Sequence, residues 1–468
     1  MIAGAASGVG KTTITVGVMA ALRRRGVAVQ PFKVGPDYID PSFHMLATGV
    51  PSRNLDGWMV PPAALKELFD RACRRADVAV IEGVMGLFDG VGGRDEEGST
   101  AQVAKAVGAP VVLVLDVRGT ARSAAAMALG YARFDPGLPL AGFLLNNVGS
   151  ETHFRWAREA IEATGVGPVL GYLPRRADLK LPERHLGLVP AAENPMPEGF
   201  LDRLVELVES HVDLDGLMAI AVSRGECGGE GSGDEGGCAP KEGGTAQDRG
   251  GPALFPDEPL PPRAVIAVAW DEAFSFYYQD NLDLLEAHGA RLVRFSPLRD
   301  AEIPPETGAL YLGGGFPEMF AAQLAANRGM LESIRGVVRD GLPTYAECGG
   351  LMYLCEAIAG MDGRLHEMVG VLPGRCSMEE KRLKLGYLET RSLRDTPLGP
   401  SDTLARGHEF HWSRWDGLDP TTAAYALLNQ EGRPEGYARG SLLASFVHLH
   451  FASNPALAPA FVHAAVGG

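Results

Sequence analysis

Short apolar runs alternate with stretches whose apolar residues recur at helical spacing, and this alternation carries most of what the chain says about its fold. Strands are predicted at 28–32, 78–82, 111–116, 141–146 and 169–173, with a helix over 14–25 that closes at Gly26. Several of these runs end in a polar residue, the mark of a strand delivering a side chain to the carboxyl edge of a parallel sheet. A second alternating series follows, with strands at 264–270, 291–295, 309–312, 343–346 and 443–447 and a helix over 281–288. No internal repeat relates the two series, so two different α/β domains are expected.

Between the two series the pattern fails. Residues 223–262 are dominated by glycine, acidic residues and proline, with too little apolar surface to order themselves. The expected organisation is therefore a first domain at 1–222, a disordered acidic and glycine-rich linker at 223–262, and a second domain at 263–468. A chain of 468 residues is long enough for each domain to bury its own core.

Composition changes this picture little but excludes several functions. Charged residues at 22% and hydrophobic ones at 46% are ordinary globular values, and the formal net charge of −15 argues against a nucleic-acid or anionic-membrane binder. No apolar run reaches spanning length and the first residues lead into a glycine-rich loop, so a cytoplasmic protein is expected. The six cysteines, Cys73, Cys227, Cys238, Cys348, Cys355 and Cys376, form neither a zinc spacing nor a disulfide framework. They read as reduced thiols, with Cys227 and Cys238 incidental to the linker.

The first chemistry lies at Gly4-Ala5-Ala6-Ser7-Gly8-Val9-Gly10-Lys11-Thr12-Thr13, between an apolar run and a helix. Glycines let backbone N–H groups turn inward around a polyphosphate, the helix N-terminus adds positive potential, Lys11 reaches the terminal phosphates and the Thr12 hydroxyl can ligate Mg²⁺. Gly8, Gly10, Lys11, Thr12 and Thr13 are the expected ATP contacts. The spacing, with the first glycine one residue earlier than usual, resembles the longer P-loop of dethiobiotin-synthetase-like enzymes. Lys33-Val34-Gly35-Pro36-Asp37-Tyr38-Ile39-Asp40-Pro41 then follows the second strand, and a lysine with two carboxylates at that edge suits a metal and an acidic substrate. Asp37 is assigned to Mg²⁺, and Lys33, Tyr38 and Asp40 to the substrate. Glu82, emerging from an apolar strand into Gly83-Val84-Met85-Gly86-Leu87-Phe88-Asp89-Gly90, is expected to ligate the metal, with Asp89 on the substrate side.

In the second half, Pro343-Thr344-Tyr345-Ala346-Glu347-Cys348-Gly349-Gly350 reads as a strand, a tight turn and a helix start. Small residues permit strained geometry there, and the helix N-terminus is expected to lower the Cys348 thiol pKa. A nucleophile needs a base, and Ser445-Phe446-Val447-His448-Leu449-His450 offers two histidines at alternate positions on one strand face.

These motifs together resemble the cobyrinate a,c-diamide synthases of the cobalamin pathway, and the resemblance continues through Asp116-Val117-Arg118-Gly119, Leu145-Asn146-Asn147-Val148, Glu380-Lys381-Arg382-Leu383-Lys384-Leu385-Gly386-Tyr387 and Gly407-His408-Glu409-Phe410-His411. It implies a P-loop NTPase-like parallel-sheet domain joined by a linker to a class I glutamine amidotransferase-like α/β domain. It also implies His448 as the partner of Cys348, Asn146 as an adenine contact, and an oxyanion site from the N–H groups of Gly315 and Gly349. The common amidotransferase triad places a Glu shortly after its His, whereas Leu-His-Phe-Ala-Ser-Asn-Pro follows His448 here; a Cys-His dyad is assigned and the third member left open.

The implied reaction is ATP- and Mg²⁺-dependent amidation of the a and c acetates of cobyrinic acid, through phosphorylated carboxylates and ammonia from glutamine. Hydrogenobyrinate and nickel sirohydrochlorin are alternative substrates for the same chemistry. Partitioning ATPases share the loop, but their signature lysine would fall at Ala6. A homodimer is compatible with the sequence, which does not encode oligomeric state.

Overall fold

The computed structural model describes residues 1–176, 183–184, 187–188, 197–222, 253–360, 363–378 and 383–467. These form two compact units, 1–58 with 62–222 in the first and Met59–Pro61 with 253–467 in the second. Residues 223–252, most of the expected linker with its Cys227 and Cys238, lie outside the described residues, as do Glu380, Lys381 and Arg382.

In the first unit the elements run β1 (Ile2–Gly4), α1 (Lys11–Arg24), β2 (Val29–Val34), α2 (Asp40–Thr48), β3 (Arg53–Leu55), α3 (Pro62–Cys73), β4 (Val78–Glu82), α4 (Thr100–Val107), β5 (Val111–Asp116), α5 (Ser123–Phe134), β6 (Leu140–Val148), α6 (Glu151–Glu162) and β7 (Val169–Pro174). The two-residue strands β8 (Glu183–Arg184) and β9 (Gly187–Leu188) and the helices α7 (Phe200–His211) and α8 (Leu214–Val222) complete it. The strand order β3-β2-β4-β1-β5-β6-β7 is parallel throughout, with β1 between β4 and β5. Parallel strands need helices on both faces. Two apolar clusters answer that need: Ile14, Val18 and Leu22 of α1 pack with Leu204 and Val208 of α7 in one, and Leu113, Phe143 and Leu145 pack with Ala157 and Ile161 of α6 in the other.

The second unit contains β10 (Ala264–Ala269), α9 (Gln279–Ala287), β11 (Ala290–Phe295), β12 (Ala309–Leu312), α10 (Ala321–Ala326), α11 (Arg328–Arg339), β13 (Thr344–Glu347) and α12 (Gly349–Leu354). It continues through β14 (Ala357–Ala359), β15 (Leu365–Glu367), β16 (Arg375–Met378), β17 (Lys384–Ser392), β18 (Leu404–His411), β19 (Ser413–Trp415), β20 (Tyr425–Leu427), β21 (Arg433–Glu435), β22 (Tyr437–Arg439), β23 (Leu442–Ser445), β24 (His448–Leu449) and α13 (Leu457–Val466). The main sheet, β11-β10-β12-β13-β23-β22, is parallel except for its β22 edge.

Two features differ from the sequence expectation. The run predicted as a strand at 443–447 ends at Ser445: β23 stays in the parallel sheet, while His448 starts a separate strand, β24, that pairs antiparallel with β18 in the sheet β21-β20-β17-β18-β24. The end of the expected linker is ordered: Leu254 and Phe255 are buried, the Leu260 N–H donates to Ala287 O and the His288 ring bonds Leu254 O. Those two apolar side chains give the stretch a core contact that its average composition conceals.

No helix among the described residues is long and apolar enough to cross a membrane. Phe143 is fully buried in β6. Phe143→Ala is expected to destabilise the first unit by about 3–5 kcal/mol, read as a lower urea midpoint for that unit's transition.

Candidate functional site

The loop between β1 and α1 closes on Gly10, whose φ of 93° opens the helix without a side-chain cap. A side chain there would be strained and would also strike the Asn146 amide, 2.1 Å from the position of an added Cβ. The first-turn N–H groups of α1 are thus left to a ligand. Beside them is a cavity of about 510 Å³, lined by Gly8, Gly10, Lys11, Thr12, Thr13, Lys33, Asp37, Asp40, Glu82 and Asn146 among others. Ten residues assigned from sequence therefore share one space. Tyr38 and Asp89 are not among its lining residues. Asp89 instead accepts the Gly86 N–H at 2.9 Å and shapes the loop after β4.

Lys11 is buried, and its ammonium donates to Ala6 O at 3.0 Å and Met85 O at 2.5 Å. Burial, with the like charge of Lys33 nearby, lowers its pKa to about 8. Asn146 donates its amide to Val9 O at 2.8 Å. The amide therefore braces the loop, a contact the adenine assignment did not anticipate.

The metal-side residues are arranged around Glu82, which has no exposed surface. One carboxylate oxygen accepts from Thr12 Oγ1 at 2.6 Å and Lys33 Nζ at 3.0 Å, and the other meets His44 Nε2 at 2.6 Å. Lys33 also bonds Asp40 at 2.5 Å. Burial alone would raise the Glu82 pKa, but Lys33 and the His44 and Thr12 hydrogen bonds outweigh it and hold the carboxyl well below the usual range. Burial and the neighbouring Asp37 push the Asp40 carboxyl the other way, well above the usual range. Asp37 faces the cavity and caps α2 by accepting the N–H groups of Ile39 at 2.7 Å and Asp40 at 3.1 Å.

This donor set, a hydroxyl and carboxylates beside a phosphate loop, fits Mg²⁺, which binds through a few hard oxygens and keeps its remaining positions for water and phosphate. Thr12, Asp37 and Glu82, the three residues assigned to the metal from sequence, line the cavity together. Among the described residues, no group of three His, Cys, Asp or Glu side chains forms a metal cage. His44 escaped the sequence reading because a lone histidine on a helix carries no motif.

In the second unit, β13 runs into Cys348, whose φ of 45° and ψ of −99° form a strained elbow before α12. The Cys348 N–H bonds Ser445 O at 2.7 Å, tying the elbow to β23. Gly349 faces the turn at Gly315, whose N–H nitrogen lies 3.0 Å from where a Gly349 Cβ would be. At Gly315 itself an added Cβ would lie 2.1 Å from Ala273 O, so the two glycines assigned to the oxyanion do converge and neither has room for a side chain. His448 lies over the same turn, with Cε1 2.3 Å from the position of a Gly314 Cβ. Its ring stacks on His408 with centroids 4.9 Å apart, while His408 Nδ1 bonds Tyr278 Oη at 2.8 Å.

Electrostatics here depart from expectation. Burial, reinforced by Glu318, raises the Cys348 thiol pKa, and the Gly349 N–H that favours the thiolate does not overcome it. Burial lowers His448 to about 3, so the resting pair is neutral thiol and neutral imidazole. His450, expected on the same strand face, lies just past β24; it is also lowered to about 3 by burial and caps the turn at Ala452 N.

A P-loop cavity rich in oxygen donors and a cysteine elbow over a glycine turn define a nucleotide-binding unit coupled to a glutamine amidotransferase. Residues 1–189 match the model of the CobQ/CobB/MinD/ParA nucleotide binding domain, and residues 265–456 that of the CobB/CobQ-like glutamine amidotransferase domain. Relatives named cobyrinate a,c-diamide synthase span nearly the whole chain. The Dehalococcoides mccartyi (strain CBDB1) protein is 44% identical over 99% of this chain and 97% of its own length. The Listeria innocua protein is 45% identical over 98% and 97%, and that of Salmonella typhimurium 41% identical over 97% and 95%. The chain belongs to the cobyrinate a,c-diamide synthase family and is a glutamine-hydrolysing carbon–nitrogen ligase.

The buried neutral thiol has a direct chemical consequence. In the ligand-free protein at pH 7, iodoacetamide is expected to modify Cys348 at least about tenfold more slowly than free cysteine, as measured by peptide mass mapping.

Proposed function

We propose that this protein amidates the a and c acetate carboxylates of cobyrinic acid, using ATP and ammonia drawn from glutamine. The reading is carried by the presence, in one chain, of an oxygen-lined P-loop cavity and a strained cysteine elbow beside a buried histidine. The domain at 1–222 would make the amide and that at 263–468 supply its nitrogen, in the cytoplasm where ATP and glutamine are available.

A carboxylate resists attack by ammonia because it is anionic and its leaving group is poor. Transfer of the ATP γ-phosphoryl onto the acetate oxygen removes both obstacles, and ammonia then displaces phosphate. Lys11 would exchange its bonds to Ala6 and Met85 carbonyls for the terminal phosphates, while the loop N–H groups hold the rest of the chain of phosphates. Mg²⁺, held by Thr12, Asp37 and Glu82, would neutralise phosphate charge. Lys33, paired with Asp40 and Glu82, would orient the acetate, with Asp40, Tyr38 and Asp89 as further substrate contacts.

Ammonium near neutral pH is a poor nucleophile, which explains the second unit. Cys348 would give its proton to His448 as sulfur attacks the glutamine amide carbon. The oxyanion is met by the N–H groups of Gly315 and Gly349, ammonia departs, and water resolves the glutamyl thioester. A thiol with a raised pKa fits a site in which proton transfer accompanies substrate binding.

The test incubates the protein with cobyrinic acid, ATP, Mg²⁺ and glutamine, with hydrogenobyrinic acid and nickel sirohydrochlorin alongside, and reads products by mass. Two amidations on the cobalt corrin are expected; reaction of only another tetrapyrrole would move the assignment to that ring. Cys348→Ser is expected to lower glutamine-supported synthesis by at least about 10³-fold while sparing synthesis from ammonium salts, and Lys11→Ala to lower both by about 10²–10³-fold.

A further inference from the structure

The elbow carries a second chemistry-bearing residue immediately before its cysteine. Glu347 is the last residue of β13, with 1% of its surface exposed. Three donors fix its carboxylate: the Tyr345 and Tyr311 hydroxyls, the latter at 3.0 Å, and the Leu449 N–H at 3.0 Å. The Leu449 bond is the informative one, because Leu449 follows His448 on β24. Through it, Glu347 holds the backbone that presents the imidazole, and its other oxygen lies 4.0 Å from His448 Nδ1. Asn281 grips the same segment from the far side, donating to Leu449 O at 2.8 Å and accepting from Phe451 N at 2.7 Å. Glu435 steadies the approach by accepting the Ser445 hydroxyl and the Phe446 N–H.

We propose that Glu347 is the positioning residue of this glutamine site, taking the place of the acid that is absent from the segment after His448. Its carboxylate orients the imidazole with Nδ1–H toward Glu347 and stabilises the imidazolium that forms when Nε2 takes the Cys348 proton. The chain thus carries its acid next to the nucleophile, at the end of β13 in the main sheet, while β24 of the second sheet delivers the base. The 4.0 Å separation suits the resting state, since bonds of this kind shorten as the reacting complex forms. The choice of acid rests on what surrounds the ring: His408 stacks on one face, and the field of His411 opposes a positive imidazole. Glu347 is the carboxylate whose charge would favour it.

The inference rests on the reading of Cys348 and His448 as a glutamine-hydrolysing pair. It also predicts a pH dependence. Burial raises the Glu347 carboxyl to about 7, against the hydrogen bonds from Tyr345, Tyr311 and Leu449 that lower it. The titratable groups facing it are Tyr345 and Cys348 from its own strand and elbow, Tyr311 from β12, His448 from β24, and Tyr277 and Tyr425 through their fields. The carboxylate is present above that pKa and protonated below it, so glutamine turnover rises as pH passes upward through about 7.

The test is Glu347→Gln in the full chain: its amide oxygen can keep the bonds from the Tyr345 hydroxyl and the Leu449 N–H, its NH2 can only donate to the Tyr311 oxygen, and the charge is removed. Glutamate release and diamide formation are measured from pH 5.5 to 9, with glutamine and with ammonium salts. Expected are a fall in kcat with glutamine of about 10²-fold, a KM within about threefold of the parent, loss of the limb near neutrality, and unchanged ammonium-supported synthesis. Glu347→Asp should restore part of the glutamine rate and a shifted limb. Glutamine turnover by Glu347→Gln at the parent rate with an unaltered profile would overturn the proposal. If Glu347→Gln also lost ammonium-supported synthesis, Glu347→Asp decides: a recovered glutamine rate with a pH limb sustains the role, and no recovery sinks it. Cys348→Ser is run beside them; should it still hydrolyse glutamine, the reading of the site itself falls rather than the role of Glu347 alone.

Discussion

A carboxylate without exposed surface is tolerable only when cations and donors surround it, and the ion pair between Glu82 and Lys33 is the constraint on which the nucleotide unit depends. Glu82 leaves the end of β4 beside β1, so its position is set by the sheet. From there it fixes Thr12 at the start of α1, Lys33 at the end of β2 and His44 within α2. Three elements reach one anion. Removing any of these partners would leave charge stranded in the interior, which costs more than the pair gains relative to an apolar replacement.

The second unit repeats the solution in different chemistry. Glu347 also ends a buried strand and is also surrounded, but by phenols and an amide rather than cations, so burial leaves its proton affinity raised. The contrast follows from function: a phosphate site needs its carboxylate ionised at all times, whereas an acid behind an imidazole acts during a proton transfer. In both units the strand ending, rather than a loop, supplies the charged group, which gives the site the rigidity of the sheet.

Much of this was legible in the sequence because it is local. The P-loop requires glycines and a lysine at fixed spacing, and the structure brings Gly8, Gly10, Lys11, Thr12 and Thr13 to one cavity wall. Strand ends at Glu82 and Asp116 were readable from apolar runs that stop at an acid. What was not legible depends on distant packing. Asn146 also braces Val9, a contact across 137 residues. His44 has no motif. That the 443–447 run stops at Ser445 and His448 joins a second sheet turns on pairing with β18, which periodicity cannot show. The thiol pKa of Cys348 was misjudged because helix position is local and burial is not.

The Lys11 ammonium, enclosed by Ala6 and Met85 carbonyls, has a consequence for the proton inventory of nucleotide capture. With a pKa near 8 in the empty loop, it loses its charge under mildly alkaline conditions, whereas a polyphosphate seated there demands the charged form. Above that pKa each bound nucleotide must therefore draw a proton from solvent, and apparent affinity declines by up to about tenfold for every further pH unit. The loop would grip its ligand most tightly on the neutral side of that threshold.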